Sequence, residues 1–324
     1  MTVELNPNQS PIAPVGIRRL WLWRALSWLT GLLWLVGSVV RIAIADRWDF
    51  VAVLFYALPL PVLVVIGIVA AESLRKLRIR RVPQLLYGLV ALQFVCWLPQ
   101  AIVFRADEPP RSATRLLFWN VNRGRLGYPA IAADILSFNP DLVCLVESTT
   151  AGQKKETWQP LMPGYEVHRL GMGMMLLLRG ELIEQEPGMV IHSCRYHVLK
   201  VRIDRRPLVI TIVDIASDPL RSRRPAFEKL VQLQSRQPKL PHVLVGDFNT
   251  PVDSTLFDRL RLDLTNAFEA KGSGFRETWP VTSPVLCLDQ IWGDSRIKWH
   301  QCFAGWSVRS DHRPVIADFS FEEN

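Results

Sequence analysis

The sequence is poor in the residues that build soft-metal or disulfide scaffolds. Its 324 residues include five Cys and six His, and no two Cys stand at the two-to-four-residue spacing of a zinc ribbon. A small disulfide-stapled domain and a zinc finger are thereby excluded. Internal repeats and low-complexity tracts are missing too, which removes solenoids and disordered arrays. A strongly basic C-terminal part is also lacking. The formal net charge is +8, but residues 1–110 hold 11 Lys/Arg against 6 Asp/Glu, and residues 111–324 hold 27 against 24. The second stretch is nearly balanced and lacks the broad cationic footprint of tight nonspecific nucleic-acid binding.

What is abundant is apolar sequence, concentrated in the first third. Ala25–Ile44, Phe50–Ala70 and Val82–Phe104 are long apolar runs, each close to the ~20 residues a helix needs to cross ~30 Å of hydrocarbon. They predict three membrane spans. Arg18, Arg19 and Arg24 precede the first run, and Arg75, Lys76, Arg78, Arg80 and Arg81 lie between the second and third. Cytoplasmic loops collect such charges, so the N-terminus is expected in the cytoplasm. The C-terminal domain is then periplasmic or extracellular, on the far side of the cytoplasmic (inner) membrane. The expected organisation is an anchor over 1–106, a polar, Pro-bearing linker over 107–113, and an extracytoplasmic domain over 114–324.

Within that domain short strand-like runs outnumber helical patches. Arg115–Val121, Leu142–Glu147, Met174–Leu178, His197–Ile203, Leu208–Asp214, His242–Gly246, Val285–Trp292, Ile297–Ala304 and Val315–Phe319 read as strands, and Pro129–Phe138 and Arg224–Gln234 as helices. This mixture predicts an α/β, two-sheet sandwich flanked by helices. A hairpin about Gly293–Arg296 would place Cys287 opposite Cys302, near enough to bridge in an oxidising compartment.

Several strands end in carboxylates or amides. Leu116–Trp119 runs into Asn120-Val121-Asn122, Asp141–Val146 into Glu147, and Val243–Val245 into Gly246-Asp247-Phe248-Asn249. Asp289 follows Leu288, and Ser310-Asp311-His312 precedes the last strand. Apolar strands that end this way deliver polar groups to one rim while the core stays dry. Oxygen ligands of this kind suit Mg²⁺ or Mn²⁺ better than Zn²⁺. Each motif is common singly; the ordered set carries the weight.

On those motifs residues 112–322 resemble the endonuclease/exonuclease/phosphatase superfamily, and the preceding spans resemble its bacterial membrane-anchored members. The resemblance implies a deoxyribonuclease I-like, four-layer α/β sandwich of two mostly antiparallel sheets, and hydrolysis of phosphate esters. It implies Glu147, Asn122 and Asp311 as metal ligands and Asp247 as the group that orients or deprotonates water. Asn120 and Asn249 would hold phosphate oxygens, and His312, oriented by Asp289, would stay protonated. Asp214 departs from the pattern, standing where many relatives carry His. Nucleic acid, a phospholipid headgroup and a small phosphorylated metabolite all remain as substrates, with tethering to the bilayer favouring lipid slightly. No protein partner follows from the sequence. The competing expectation is a non-catalytic, membrane-tethered binding domain that keeps the fold. Arg221, Arg223 and Arg224 could meet a phosphate or form a solvated loop. His168 and Arg169 could line the cleft, whereas His192, His197, His242 and His300 read as structural or exposed.

Overall fold

Leu116–Asn120 and Leu142–Val146 are apolar on both faces, and strands of that kind need a layer on each side. In the computed structural model they lie centrally in a six-stranded sheet. The structure describes residues 15–105, 108–148, 155–236 and 240–322, with the side chains of 15–19 and 155 outside that description. Ala106 and Asp107 of the expected boundary, and the Arg18 and Arg19 side chains, therefore lie outside the described residues.

The first sheet runs 297–304, 315–321, 114–120, 142–146, 174–178, 166–171, and the second 265–266, 289–293, 242–247, 206–215, 194–203, 181–190. All neighbours are antiparallel except 114–120 with 142–146 and 206–215 with 242–247. Parallel neighbours need a crossover, and here the crossovers contain Tyr128–Ser137 and Arg224–Ser235. Ile131 and Ile135 pack against Leu117 and Val143, while Phe227 and Leu230 pack with Val213 and Leu244. Between the sheets Leu116, Phe118 and Cys144 meet Leu199, Ile210 and Val243. The layers are helix, sheet, sheet, helix.

Register decides which residues meet. In the second sheet Asp247 is paired with Asp214 on one side and Asp289 on the other. In the first, Asn120 is opposite Val146, one residue before Glu147. Gly246, next to Asp247, has a packing task. A Cβ there would lie 2.2 Å from the Val213 carbonyl oxygen, so glycine lets the two parallel strands approach.

The expected hairpin about Gly293–Arg296 does not form. Asp289–Gly293 pairs with 242–247 in one sheet, whereas Ile297–Ala304 pairs with 315–321 in the other. The turn crosses between layers, and both Cys287 and Cys302 are buried free thiols.

The apolar third also departs from expectation. Among the described residues two single helices, Leu20–Ile44 and Arg81–Ala101, are long and apolar enough to cross a membrane, where three were expected; a third span would need a bent pair of helices. The second run is broken at Leu58-Pro59 into Asp49–Ala57 and Leu60–Lys76, bent by 70°. Pro59 caps the second piece and Pro61 starts it, and proline cannot continue a preceding helix. The residues fall into two units. One comprises 1–44 and 58–97; the other comprises 45–57 and 98–324. In the first, Trp34 Nε1 donates to Gln93 Oε1 at 2.9 Å and Gln93 Nε2 to Ser38 Oγ at 2.9 Å, polar contacts of the kind that join apolar helices. The second takes in Ala45–Ala57, and its short 102–103 strand pairs with 274–275 directly after the 81–101 helix.

Two buried histidines give this unit a pH dependence of its own. Burial pushes His197 and His242 down from 6.5 to about 4. Between those values the unfolded chain binds protons that the fold does not, so stability falls as pH drops through this window and is unaffected above it. These two rings by themselves account for a loss on the order of a few kcal/mol by pH 4. The ring-proton resonances of both should keep their neutral-imidazole positions down to about pH 5; either ring titrating near 6.5 would contradict neutral burial.

Candidate active site

The site forms where the two sheets bring their strand ends to one rim. Asn120 is 1% exposed, and its Nδ2 donates to Asp247 Oδ2 at 2.9 Å and Glu147 Oε1 at 3.1 Å. One amide thus joins a carboxylate from each sheet. His312 Nδ1 lies 2.8 Å from Asp289 Oδ2, and its Nε2 lies 3.8 Å from Asp247 Oδ2. The Thr278 hydroxyl receives the backbone N–H groups of Leu288 and Asp289, fixing the segment that carries this carboxylate. Trp119 Nε1 donates to the His312 carbonyl at 2.9 Å, and Ser310 Oγ to the Asn120 carbonyl at 2.7 Å. The Ser-Asp-His segment is thereby tied to the first strand.

Asn249 donates its backbone N–H to Asp247 Oδ1 at 2.9 Å and one side-chain N–H to the Ile215 carbonyl at 2.8 Å. Glu147, Asn122 and Asn249 have φ of 53°, 41° and 46°. Asparagine tolerates this left-handed region, but for a glutamate it is strained, and such strain concentrates at functional sites. Asn122 is half-buried just beyond the 114–120 strand. Asp311 is exposed, with Trp279 Nε1 at 3.5 Å from its Oδ2.

Electrostatics divides the groups. Burial opposes charge on His312, but Asp289 and Asp247 outweigh it and raise the ring to about 10. Asp247 is pushed up, first by burial and then by Asp289 and Asp214, against the pull of His312. Burial, and then Glu147, raise Asp214 to about 7, against Arg195 and His312. Asp247, Asp289 and His312 offer ligand atoms within 4.8 Å of one another. A ring held protonated has no lone pair for a cation, so this trio is better described as an acid–base cluster. A hard divalent cation nonetheless suits the rim. Glu147 raises Asp214, and Asp289 and Asp214 raise Asp247, an excess of carboxylate that a cation beside Glu147 would balance.

A cleft of about 860 Å³ opens beside these groups, with Glu147, Asp214 and Asn249 in its wall. The structure brings Arg169 and Arg221 to this cleft and places His168 elsewhere, against Glu166 at 3.2 Å. Arg223 is buried and Arg224 pairs with Asp49 at 3.3 Å. Sequence reasoning missed Arg123, Arg195, Met189 and Ile191, which also line the cleft. Alternation along 194–203 marks which face Arg195 takes, but only pairing with 206–215 sets it opposite Asp214.

Two mixed sheets with His–Asp and carboxylate–amide groups at one rim define the class of deoxyribonuclease I-like α/β sandwiches. The Endonuclease/Exonuclease/phosphatase family model matches residues 117–312, and the chain belongs to that family. Among solved structures, it is similar to a mannosyl-6-phosphatase of Bacteroides thetaiotaomicron at 14% identity and a TM-score of 0.56, covering 64% of this chain and 100% of that one. The human Nocturnin catalytic domain with bound sulfate gives 20% and 0.53, covering 67% and 98%. D. rerio TDP2 complexed with a single-strand DNA product gives 15% and 0.51, covering 64% and 99%. At these identities they share the fold. A search of curated proteins finds no match.

Proposed function

We propose that this protein is a membrane-anchored, divalent-metal-dependent hydrolase of phosphate esters whose catalytic unit faces away from the cytoplasm. The observation that carries the reading is the His312–Asp289 pair set against Asp247, with Asn120 bridging Asp247 to Glu147. Glu147, Asn122 and Asp311 would hold Mg²⁺ or Mn²⁺, which when bound supplies Lewis-acid polarisation of a phosphoryl oxygen. Asp247 orients or deprotonates the attacking water. His312, kept protonated by Asp289, stabilises charge that develops on the phosphoryl group. Asn120 spends its N–H groups on two carboxylates and so acts through their placement, while Asn249 retains a second side-chain N–H for a phosphate oxygen. Asp214, raised to about 7, is protonated over the acid range and then does not repel a phosphate.

The cleft supports a substrate that is anionic at one end and apolar at the other. Arg123, Arg169, Arg195 and Arg221 lie in its lining beside Met189 and Ile191, which are 60% and 73% exposed. That combination favours a phospholipid headgroup over a nucleic acid or a small phosphorylated metabolite. For topology, Ala45–Ala57 and Leu98–Asn324 share one unit, so the chain between them leaves and returns. This supports two crossings by 60–76 and 81–101 after a first by 20–44, with the Arg/Lys-rich turn at 75–81 cytoplasmic. The 60–76 helix has 17 residues, about 25 Å long, short for a span unless its terminal Arg75 and Lys76 snorkel.

The test uses full-length protein in detergent with Mg²⁺ or Mn²⁺, and with EDTA. Its substrates are a chromogenic phosphodiester, a phosphomonoester, duplex DNA and phospholipid vesicles. Metal-dependent turnover that disappears in Asp247→Asn, greatest on vesicles, is the expected result. Metal binding without turnover on any of the four would favour a binding domain instead.

A further inference from the structure

Ala45–Ala57 lies between two apolar helices in sequence, yet it belongs to the same unit as the candidate site. Asp46 is 2% exposed. Its carboxylate accepts from Thr255 N at 2.9 Å, Thr255 Oγ1 at 2.8 Å, Tyr56 OH at 3.2 Å and Ser254 Oγ. Tyr56 lies under the guanidinium of Arg223, 4.6 Å from the ring centre, and Arg223 is 5% exposed. Arg224 donates to Asp49 at 3.3 Å and to the backbone carbonyls of Asp46 and Arg47. Phe55 of the same segment is buried too.

These contacts land on two loops and on Arg224, the first residue of the helix that follows the second loop. One, 250–255, directly follows Asp247-Phe248-Asn249. It leads into Phe257, whose ring meets that of Phe248 at 5.3 Å, so it is coupled to the residue between Asp247 and Asn249. The other, 216–223, follows Asp214 and carries Ala216 and Arg221 of the cleft wall. Left to themselves, loops occupy the low-stability end of a fold. Three hydrogen bonds from Ser254 and Thr255 to one buried carboxylate, some 208 residues away in sequence, remove that freedom.

We propose that Ala45–Ala57 is a clamp for the candidate site. Asp46 and Tyr56 are its positioning residues, acting through the two loops on Asp247, Asn249 and Asp214. The activity part of this inference rests on the hydrolase reading; the structural part does not. A displacement of about 1 Å at a reacting group costs on the order of a hundredfold in rate, so loosening the clamp reduces turnover without emptying the site.

The experiment compares full-length wild type with Asp46→Ala, Asp46→Asn, Tyr56→Phe and Tyr56→Leu. It measures kcat and KM on bis(p-nitrophenyl) phosphate with Mg²⁺, and hydrogen exchange by mass spectrometry. Peptides covering 216–224 and 248–257 report the loops, and those covering 114–120 and 142–146 report the core. Asp46→Ala is expected to lower kcat about 10- to 100-fold, with KM changed by less than about threefold. Exchange should rise in both loop peptides while the core peptides stay unchanged. Asp46→Asn, which keeps an acceptor oxygen, is expected to fall between. Tyr56→Phe, which keeps the ring under Arg223, should be milder than Tyr56→Leu. Unchanged loop exchange in folded Asp46→Ala, or exchange rising equally through the core peptides, would overturn the clamp. Should Asp46→Ala not fold, equal behaviour of Tyr56→Phe and Tyr56→Leu would overturn it. A wild type inactive on every phosphate ester would refute the hydrolase reading, and the exchange comparison would still decide the clamp.

Discussion

Replacing His312 with alanine is expected to lower kcat for metal-dependent phosphodiester hydrolysis by about a thousandfold, within the range for a single preorganised acid or charge-stabilising group. KM should change little, because the ring stabilises charge that grows only toward the transition state. The size of the effect follows from burial. His312 is 6% exposed, and its charge is balanced by Asp289 at 2.8 Å and Asp247 at 3.8 Å. Raised to about 10, the ring remains a donor across the neutral range, so activity that depends on its proton should persist until the pH approaches that value. Asp289→Asn removes the nearer carboxylate and should draw the alkaline limb downward, toward the ordinary imidazole value of ~6.5. Stability follows the same sign. The folded value exceeds the unfolded one, so the pair's contribution is complete below about pH 6.5 and is lost as pH rises through about 10. A pH–rate profile of wild type and Asp289→Asn checks this. Coincident alkaline limbs would remove His312 from the proposed role.

Arg313→Met is expected to destabilise the unit that carries the candidate site by about 3–5 kcal/mol, the range for stripping one partner from a buried, hydrogen-bonded charge site. Arg313 is 1% exposed. Its guanidinium donates to the carbonyls of Gly305 at 3.1 Å, Phe275 at 2.9 Å and Glu277 at 2.7 Å, and to that of Ala304. It also stacks 4.1 Å over Trp306. Methionine matches much of the stem but leaves four carbonyls without this donor. Lysine should not restore the fold, because a point charge cannot reproduce a planar fork. Thermal melting of the full-length protein measures the effect. A melting temperature within a degree or two of wild type would show that the carbonyls find other donors. Arg313 follows His312 directly, so partial unfolding here should also reduce activity.

Much of the sandwich is legible in the sequence. Met174–Leu178 and Ile297–Ala304 are strands with the bounds expected, and the two expected flanking helices are present within a residue or so of their expected ends. Met174–Leu178 is buried on both faces, Ile297–Ala304 starts on an alternation of buried and exposed positions, and each helix buries one apolar face, so local pattern and burial agree. Glu181–Val190 is different. Its residues are mostly exposed, so the run lacks the alternation that marks a strand, and it pairs because 194–203 presents a free edge. The turn after Asp289–Gly293 departs from expectation for a related reason. Symmetric spacing about a turn predicts a hairpin, but the chain can instead pass from one sheet to the other, and local sequence does not distinguish the two.

By itself the sequence determined the chemistry available: which strand ends carry carboxylates, amides and the single His312, and which third of the chain is apolar. Those are properties of composition and short-range order. Tertiary structure alone decided the partnerships. Asn120 between Glu147 and Asp247, Arg195 opposite Asp214, and Asp46 holding Ser254 and Thr255 all join residues far apart in the chain. Sheet register and the break at Pro59 set those distances, and hydrogen bonds and pKa shifts depend on distance and burial rather than on order along the chain.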